Sequence, residues 1–282
     1  MEPNLSIVIP AYNEENRIGA SLDAILEFVG RQSYSTEVIV VNDGSSDLTQ
    51  QIAMSRVSEY RSAGSDLRCV INDPNQGKGY SVKRGVTEAR GAIVLFTDAD
   101  LSSPISEAPK LIQPIEHREA DLVFGSRALD RSLIVVRQPL VRDFGGRVFN
   151  LLMRLITGLS FKDTQCGFKA LRRDLALGAI NQQRITGFGF DPELLYIARK
   201  HGLRLREVPV AWSHSEGSRV SFLRDSLKMF SDLVVIRVND LRGRYDAAKA
   251  SDSVTRSASG VSRRDSMRSE PAGGGDWGKN GR

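Results

Sequence analysis

Two aspartates, Asp98 and Asp100, flank one small residue, Ala99, directly after the apolar run Ala92-Ile93-Val94-Leu95-Phe96. Such a run reads as a buried strand, and Ser102-Ser103-Pro104 stops it. The carboxylates therefore stand where a strand ends. Open α/β sheets bind ligands outside the carboxyl ends of their strands. Two hard oxygen donors at that edge suit a divalent cation, which in turn suits a diphosphate. An acidic pair is also ordinary turn chemistry, so its meaning depends on what shares the edge with it.

Three further polar segments do. Pro10-Ala11-Tyr12-Asn13-Glu14 follows the apolar run 5–9, Asn42-Asp43-Gly44-Ser45-Ser46-Asp47 follows 37–41, and Gly125-Ser126-Arg127 closes 120–125. Each alone reads equally as a turn. Four of them after successive strands make a ligand rim on one edge of a sheet. Gly77-Lys78-Gly79 is not a Walker loop, because position 72 is Asn where that motif requires Gly. It is not a dinucleotide fingerprint either, since the third glycine would fall at Val82. It reads as a nucleotide-side loop with Lys78 near phosphate or donor sugar, or as a solvated lysine.

The elements that must carry this rim follow from periodicity. Strands are expected over 5–9, 37–41, 67–71, 92–97 and 120–125. Helices are expected over 15–30, after Asp47 through Ile52 and Val57, over 79–90 and over 105–117. The alternation predicts an α/β fold with a Rossmann-like, mostly parallel sheet flanked by helices. The strands are continuous Val/Ile/Leu runs, as burial on both faces requires. After Arg127 the rhythm changes. One long or two short helices are expected over 138–158, a helix over 190–201, a strand over 203–210 and an amphipathic helix over 220–241. From about Asp246 to Arg282 the chain is Ser, Arg, Gly and Asp, and a disordered tail is expected.

Composition narrows the class. The net charge of +5 conceals a gradient. Residues 1–126 hold 11 Lys+Arg against 18 Asp+Glu, residues 127–245 hold 21 against 11, and residues 246–282 hold 7 against 5. A basic body attached to an acidic one attracts polyanions. No nucleic-acid-binding motif accompanies the charge, so lipid or phosphate is favoured over nucleic acid. Two cysteines, Cys69 and Cys166, give no disulfide framework. With no signal-peptide pattern at the start and no apolar run near the ~20 residues of a membrane span, a cytoplasmic protein is expected.

The motifs together resemble the GT-A catalytic domain of family 2 glycosyltransferases. The matching segments are IPAYNEE at 9–15, VIVVNDGSSDLT at 38–49, NQGKGYSVKRG at 75–85, FTDADLS at 96–102 and GSR at 125–127. DTQCGFK at 163–169, GFGFDPELLYIA at 187–198, VPVAW at 208–212 and EGSRV at 216–220 are similar to one branch, the dolichyl-phosphate β-glucosyltransferases and related polyprenyl-phosphate sugar synthases. The resemblance implies one GT-A domain over 1–245, with a nucleotide-sugar half at 1–126 and an acceptor half at 127–245. It implies that Pro10, Ala11, Tyr12, Glu14, Asp43, Lys78, Asp98 and Ala99 bind the donor. Asp100, with Asp98, would ligate Mg2+ or Mn2+. Arg127, Arg142 and Lys169 would bind the acceptor phosphate, and Asp100, Asp163 and Arg127 would carry catalysis.

The implied reaction is inverting transfer of a hexose from a nucleotide sugar to polyprenyl phosphate on the cytosolic face of a membrane. UDP-glucose is the first choice of donor and GDP-mannose the second. A soluble acceptor, an inactive nucleotide-sugar-binding adaptor and a nucleotidyltransferase are the rivals. The last carries a Gly-rich Arg-Lys loop where this chain has Ala-Tyr-Asn-Glu. A phosphate monoester is largely dianionic near neutral pH and hardly needs a base. Asp163 is the first candidate for that role. Asp191 is the second, or simply a helix cap. Two departures stand out. The paired aspartates after the second strand appear as Asn42-Asp43, and the membrane helices of many relatives are missing. Membrane contact would then be peripheral, through anionic headgroups meeting the basic segment, through an apolar helix around Arg147, Asn150 and Arg154, and through Phe222, Leu223, Leu227, Phe230 and Val234. For the 138–158 helix, core or dimer packing is the alternative; oligomeric state is left open.

Overall fold

The computed structural model describes residues 2–136, 140–213 and 222–246, apart from the side chains of 140–144, 147 and 222–227. Arg142 and Arg147 as side chains, Phe222, Leu223 and Leu227, the EGSRV segment and the expected tail beyond Asp246 therefore lie outside the described residues.

The strands are β1 (Leu5–Ala11), β2 (Thr36–Asn42), β3 (Asp66–Ile71), β4 (Ile93–Phe96), β5 (Leu122–Ser126), β6 (Ile134–Val136), β7 (Lys169–Arg172), β8 (Leu205–Pro209) and β9 (Trp212–Ser213). The helices are α1 (Ile18–Gly30), α2 (Thr49–Ser55), α3 (Val57–Ser62), α4 (Lys78–Glu88), α5 (Ala108–Glu116), α6 (Leu140–Thr157), α7 (Arg173–Gln182), α8 (Phe190–Lys200) and α9 (Phe222–Leu241). Seven strands form one sheet in the order β3-β2-β1-β4-β7-β5-β8, and β6 pairs with β9.

Strand alternation explains the layers. On β1, Leu5, Ile7 and Ile9 enter one core with α1, α2, α3 and α5, while Val8 enters the other. On β2, Val38 and Val40 face the first core and Ile39 and Val41 the second, which α4 and α6 to α9 complete. Both faces are dry, so the strands read as unbroken apolar runs.

Pro10 does not end β1. The strand runs on to Ala11, in register with Asn42 of β2. Val8 bonds toward β4, its carbonyl accepting from Thr97 N–H. Residue 10 points its backbone the same way, but β4 pairs with β1 only as far as Val8–Phe96. The missing N–H of Pro10 thus faces no ladder, as edge prolines require.

The expected parallel sheet carries one antiparallel strand. β7 runs against both β4 and β5 and sits between them. Its sequence, Lys-Ala-Leu-Arg, is too short and too charged to announce a central strand. The chain of 127–168 therefore leaves the sheet after β5, forms α6, and returns through the middle.

Candidate active site

The carboxyl ends of β1, β2 and β4 open onto a cavity of about 470 Å³. Pro10, Ala11, Tyr12, Glu14, Asp43, Lys78, Asp98, Ala99 and Asp100 all line it. Parallel strands β2-β1-β4 bring these segments to one edge because each leaves the sheet in the same direction. Asp43 is buried and built into the wall. Its Oδ1 accepts from Asn72 Nδ2 at 2.8 Å and Gln76 N–H at 3.0 Å, and its Oδ2 from Gly77 N–H at 2.8 Å. One carboxylate thereby fixes the loop that leads into α4 and aims Lys78.

At the DxD edge, Lys78 Nζ lies 2.6 Å from Asp98 Oδ1. Burial alone would lower the Lys78 ammonium, but Asp98, Asp191 and Asp100 raise it above its ordinary value. Burial likewise opposes ionisation of Asp98, and Lys78, Lys169 and Arg127 more than reverse that. Both groups are therefore charged at neutral pH. Asp98 is also held from behind: a Cβ on Gly167 would collide with its carboxylate, so only glycine lets the chain pass there. Asp100 is freer. Its Oδ1 takes Ser102 N–H at 3.0 Å, and its Oδ2 is 3.7 Å from Arg17 Nη1. That nitrogen is buried with no hydrogen-bond partner among the described residues.

Among the described residues no cluster of three or more His, Cys, Asp or Glu is assembled as a metal cage. The edge nevertheless fits a hard cation that takes most of its oxygens from a diphosphate. Asp100 has an oxygen without a close partner, and Asp98 stands two residues away on the same turn.

Two acids of the second half, Asp163 and Asp191, are closed. Arg127 donates to Asp163 from its backbone N–H at 3.0 Å, from Nε at 2.6 Å and from Nη2 at 2.9 Å. Burial disfavours the charge on Asp163, yet Arg127 holds its carboxyl below the usual range. A carboxylate so held is a weak base. Arg127 also stacks over Trp212 at 5.4 Å, and neither Arg127 nor Asp163 lines the cavity. Lys169 is fully buried, its ammonium bonded to Asp191 and to the Cys166 carbonyl. Its ammonium is therefore enclosed by protein partners, whereas the sequence reading expects it at the acceptor phosphate. Asp191 is accordingly more than a helix cap; burial pushes its carboxyl up despite Lys169 and Lys78.

Residues 6–177 match the profile of glycosyl transferase family 2. The chain belongs to that family. It is 33% identical over 248 residues to the dolichyl-phosphate beta-glucosyltransferase of Dictyostelium discoideum, covering 85% of this chain and 75% of that one. It is 33% identical over 255 residues to the Saccharomyces cerevisiae enzyme of the same name, covering 86% and 76%. Glucosyl-3-phosphoglycerate synthase from Mycobacterium tuberculosis, solved with Mn2+, UDP and glucosyl-3-phosphoglycerate, superposes with a TM-score of 0.61 at 22% identity, over 84% of this chain and 79% of that one. The fold is GT-A, and the protein is a glycosyltransferase.

Further parts of this glycosyltransferase's cavity wall come from residues given no site role in the sequence reading, although Gly187 and Phe188 lie in the GFGFDPELLYIA segment that carries the resemblance. Arg17 enters from the start of α1, where it also binds Glu14 at 2.6 Å. Gly187 and Phe188 come from the loop before α8, and Lys228, Met229 and Asp232 from α9. The paired glycines of Gly187-Phe188-Gly189 were the available signal, since glycine in a loop permits close approach. Nothing comparable marks α9, whose polar stripe resembles any solvated helix face.

The outer surface differs from expectation in two ways. Phe230 packs inward, its ring 5.4 Å from Phe149, so it is not free for a membrane. Exposed apolar residues on these two helices include Val148, Leu151 and Leu155 on α6, and Val234, Val235, Val238 and Leu241 on α9. Much of the basic excess is also spent internally. Arg204 pairs with Asp121, Arg206 with Glu119 and Lys200 with Asp240. No helix among the described residues is long and apolar enough to cross a membrane.

Proposed function

We propose that the cavity takes a nucleoside-diphosphate hexose, UDP-glucose by preference, and that the enzyme transfers the hexose with inversion to a polyprenyl phosphate. The observation that supports this best is the meeting of Tyr12, Glu14, Asp43, Lys78, Asp98 and Asp100 on one cavity, in a chain whose relatives are dolichyl-phosphate beta-glucosyltransferases. Residues 1–126 supply most of the donor wall, which the loop at 187–189 and α9 complete, and the acceptor is assigned to the remainder of residues 127–245.

The chain's own groups divide the work. The β1 and β2 segments seat the base and ribose. Lys78, kept protonated by Asp98, offers a fixed positive charge to the diphosphate, where leaving-group charge develops. Asp100 and Asp98 would hold a Mg2+ or Mn2+ ion, which would supply further neutralisation of that charge. Arg127 is locked by Asp163 into one orientation at the end of β5. Its Nε and Nη2 are taken by Asp163, which leaves Nη1 as its donor to a phosphate, and the dianionic acceptor attacks without a strong base, orientation being the main requirement. Arg142 is the second phosphate candidate on sequence resemblance.

The test is transfer of radiolabel from UDP-glucose or GDP-mannose to short polyprenyl phosphates, with Mn2+ or Mg2+, followed by solvent extraction. Label in the organic phase from UDP-glucose is expected. Label from GDP-mannose alone would change the donor, and label only in the aqueous phase with a phosphorylated metabolite would change the acceptor. Absence of product from every pair would leave a nucleotide-sugar-binding protein without transfer activity. Peripheral attachment to the cytosolic face, through Leu151, Leu155 and the α9 valines, predicts sedimentation with anionic vesicles. Recovery wholly in the supernatant would remove the membrane from this reading.

A further inference from the structure

Asp232 is a buried carboxylate that none of the roles above uses. It stands on α9, is 8% exposed and lines the same cavity as Asp98, Asp100 and Lys78. Its Oδ2 has no hydrogen-bond partner among the described residues. Leaving a charged acceptor buried and unsatisfied is costly, and such groups in native structures call for a reason. Burial pushes the Asp232 carboxyl up, and Lys228 only partly offsets this. Lys228 lies one helical turn away, where i and i+4 side chains are neighbours, and it lines the cavity too. The facing backbone is cut away to admit the group: a Cβ on Gly189 would collide with the Asp232 carboxylate.

The chemistry of the cavity limits what Asp232 can meet. A carboxylate repels a diphosphate and an acceptor phosphate alike. It accepts hydrogen bonds, and the groups of a nucleotide sugar that can donate to it are neutral hydroxyl and N–H groups. The base and ribose are assigned to the opposite wall, on β1 and β2. From α9, Asp232 faces Gly189, whose segment Gly187–Gly189 runs directly into Asp191. The charge on Asp191 is felt at both Lys78 and Asp98. Gly187, Phe188, Lys228 and Asp232 line the same cavity as Lys78 and Asp98, so the part of a nucleotide sugar left for them beyond base, ribose and diphosphate is the hexose. Resting on the nucleotide-sugar reading, we propose that Asp232 is a hexose-recognition residue whose carboxylate accepts hydrogen bonds from hydroxyl groups of the nucleotide-linked sugar. Lys228 keeps the wall close to neutral overall.

Calorimetric titration of the full chain with UDP, UDP-glucose, GDP and GDP-mannose, in the presence of Mn2+, tests this on wild type, Asp232→Ala and Asp232→Asn. The nucleoside diphosphate that binds wild type is expected to bind both variants within about twofold. Its hexose conjugate loses at least about tenfold in Asp232→Ala, as removal of a charge-assisted hydrogen bond implies. Asp232→Asn shows the same selectivity to a smaller degree, and being isosteric it carries the test if the alanine variant melts below the assay temperature. Equal losses for diphosphate and conjugate, or no loss for either, overturn the role of Asp232 while leaving the cavity's ligand class intact. A wild-type protein that binds none of the four ligands overturns the nucleotide-sugar reading itself, and the proposal with it.

Discussion

The cavity acids of the first half and two buried acids of the second, Asp163 and Asp191, are the same chemical group put to opposite uses. Glu14, Asp43, Asp98 and Asp100 stand on a cavity wall. Asp43 is held by backbone and amide donors, and Asp100 keeps an oxygen without a close partner. Asp163 and Asp191 are each closed by a cation, Arg127 and Lys169, and lie behind the wall. Partner and place together decide which carboxylate remains available to a ligand. Asp98 with Lys78 and Glu14 with Arg17 keep a cation beside them on the cavity wall itself, so that both members of each pair can meet a ligand. Behind the wall, a guanidinium or ammonium in contact with Asp163 or Asp191 converts the acid into scaffold.

The sharpest way to break this contrast is Asp100→Ala. An open carboxylate at the diphosphate edge should matter to turnover and little to the fold. A loss of about a thousandfold in transfer rate is expected, in line with removal of a main electrostatic stabiliser. Urea unfolding should move by no more than about 1 kcal/mol, since Asp100 is a partly exposed turn residue. Full activity in the variant would place the cation, or its need, elsewhere.

Lys169→Met attacks the other side of the contrast. It leaves Asp191 buried and without its ammonium, a change that typically costs about 3–5 kcal/mol. The double variant Lys169→Met with Asp191→Leu should recover most of that loss, because an apolar pair of similar volume replaces a desolvated ion pair. Equilibrium urea unfolding of both variants measures it. A single variant as stable as wild type would show that Asp191 finds another partner, and the pair would no longer count as scaffold.

This division also explains what could be read from the chain and what could not. The first half announces itself. Val38-Ile39-Val40-Val41 and Ile93-Val94-Leu95-Phe96 are strands by composition, and the polar residues that follow them fall on one edge by topology. Hence nine residues chosen from sequence line a single cavity. The second half hides its geometry. β7 begins with a buried lysine, and no periodicity rule places Lys169 in the middle of a sheet. Its pairing with Asp191 spans 22 residues and exists only in the tertiary structure. Asp232 and Lys228 are spaced like any surface ion pair on a helix. Only the packing of α9 against Gly189 turns them inward.

The smallest expected effect concerns pH and separates the closed pairs from each other. Asp163 has a folded-state pKa below its ordinary value. Its ionisation therefore stabilises the fold above the unfolded value, about 3.9. That contribution is lost as pH falls through the lower, folded value. Asp191 is shifted the other way, so its contribution fades as pH rises from about 3.9 through its own folded value. Asp163→Asn should thus be less stable than wild type at pH 6, with the difference shrinking as pH falls toward 3. The change is bounded by one proton, about 1.4 kcal/mol per pH unit. Asp191→Asn should show a stability difference from wild type that moves in the opposite direction over the same range. Urea unfolding at half-unit steps from pH 6 to pH 3 distinguishes the two. Parallel pH profiles for both variants would mean that Arg127 and Lys169 act on their partners alike, and that the two pairs are one electrostatic unit.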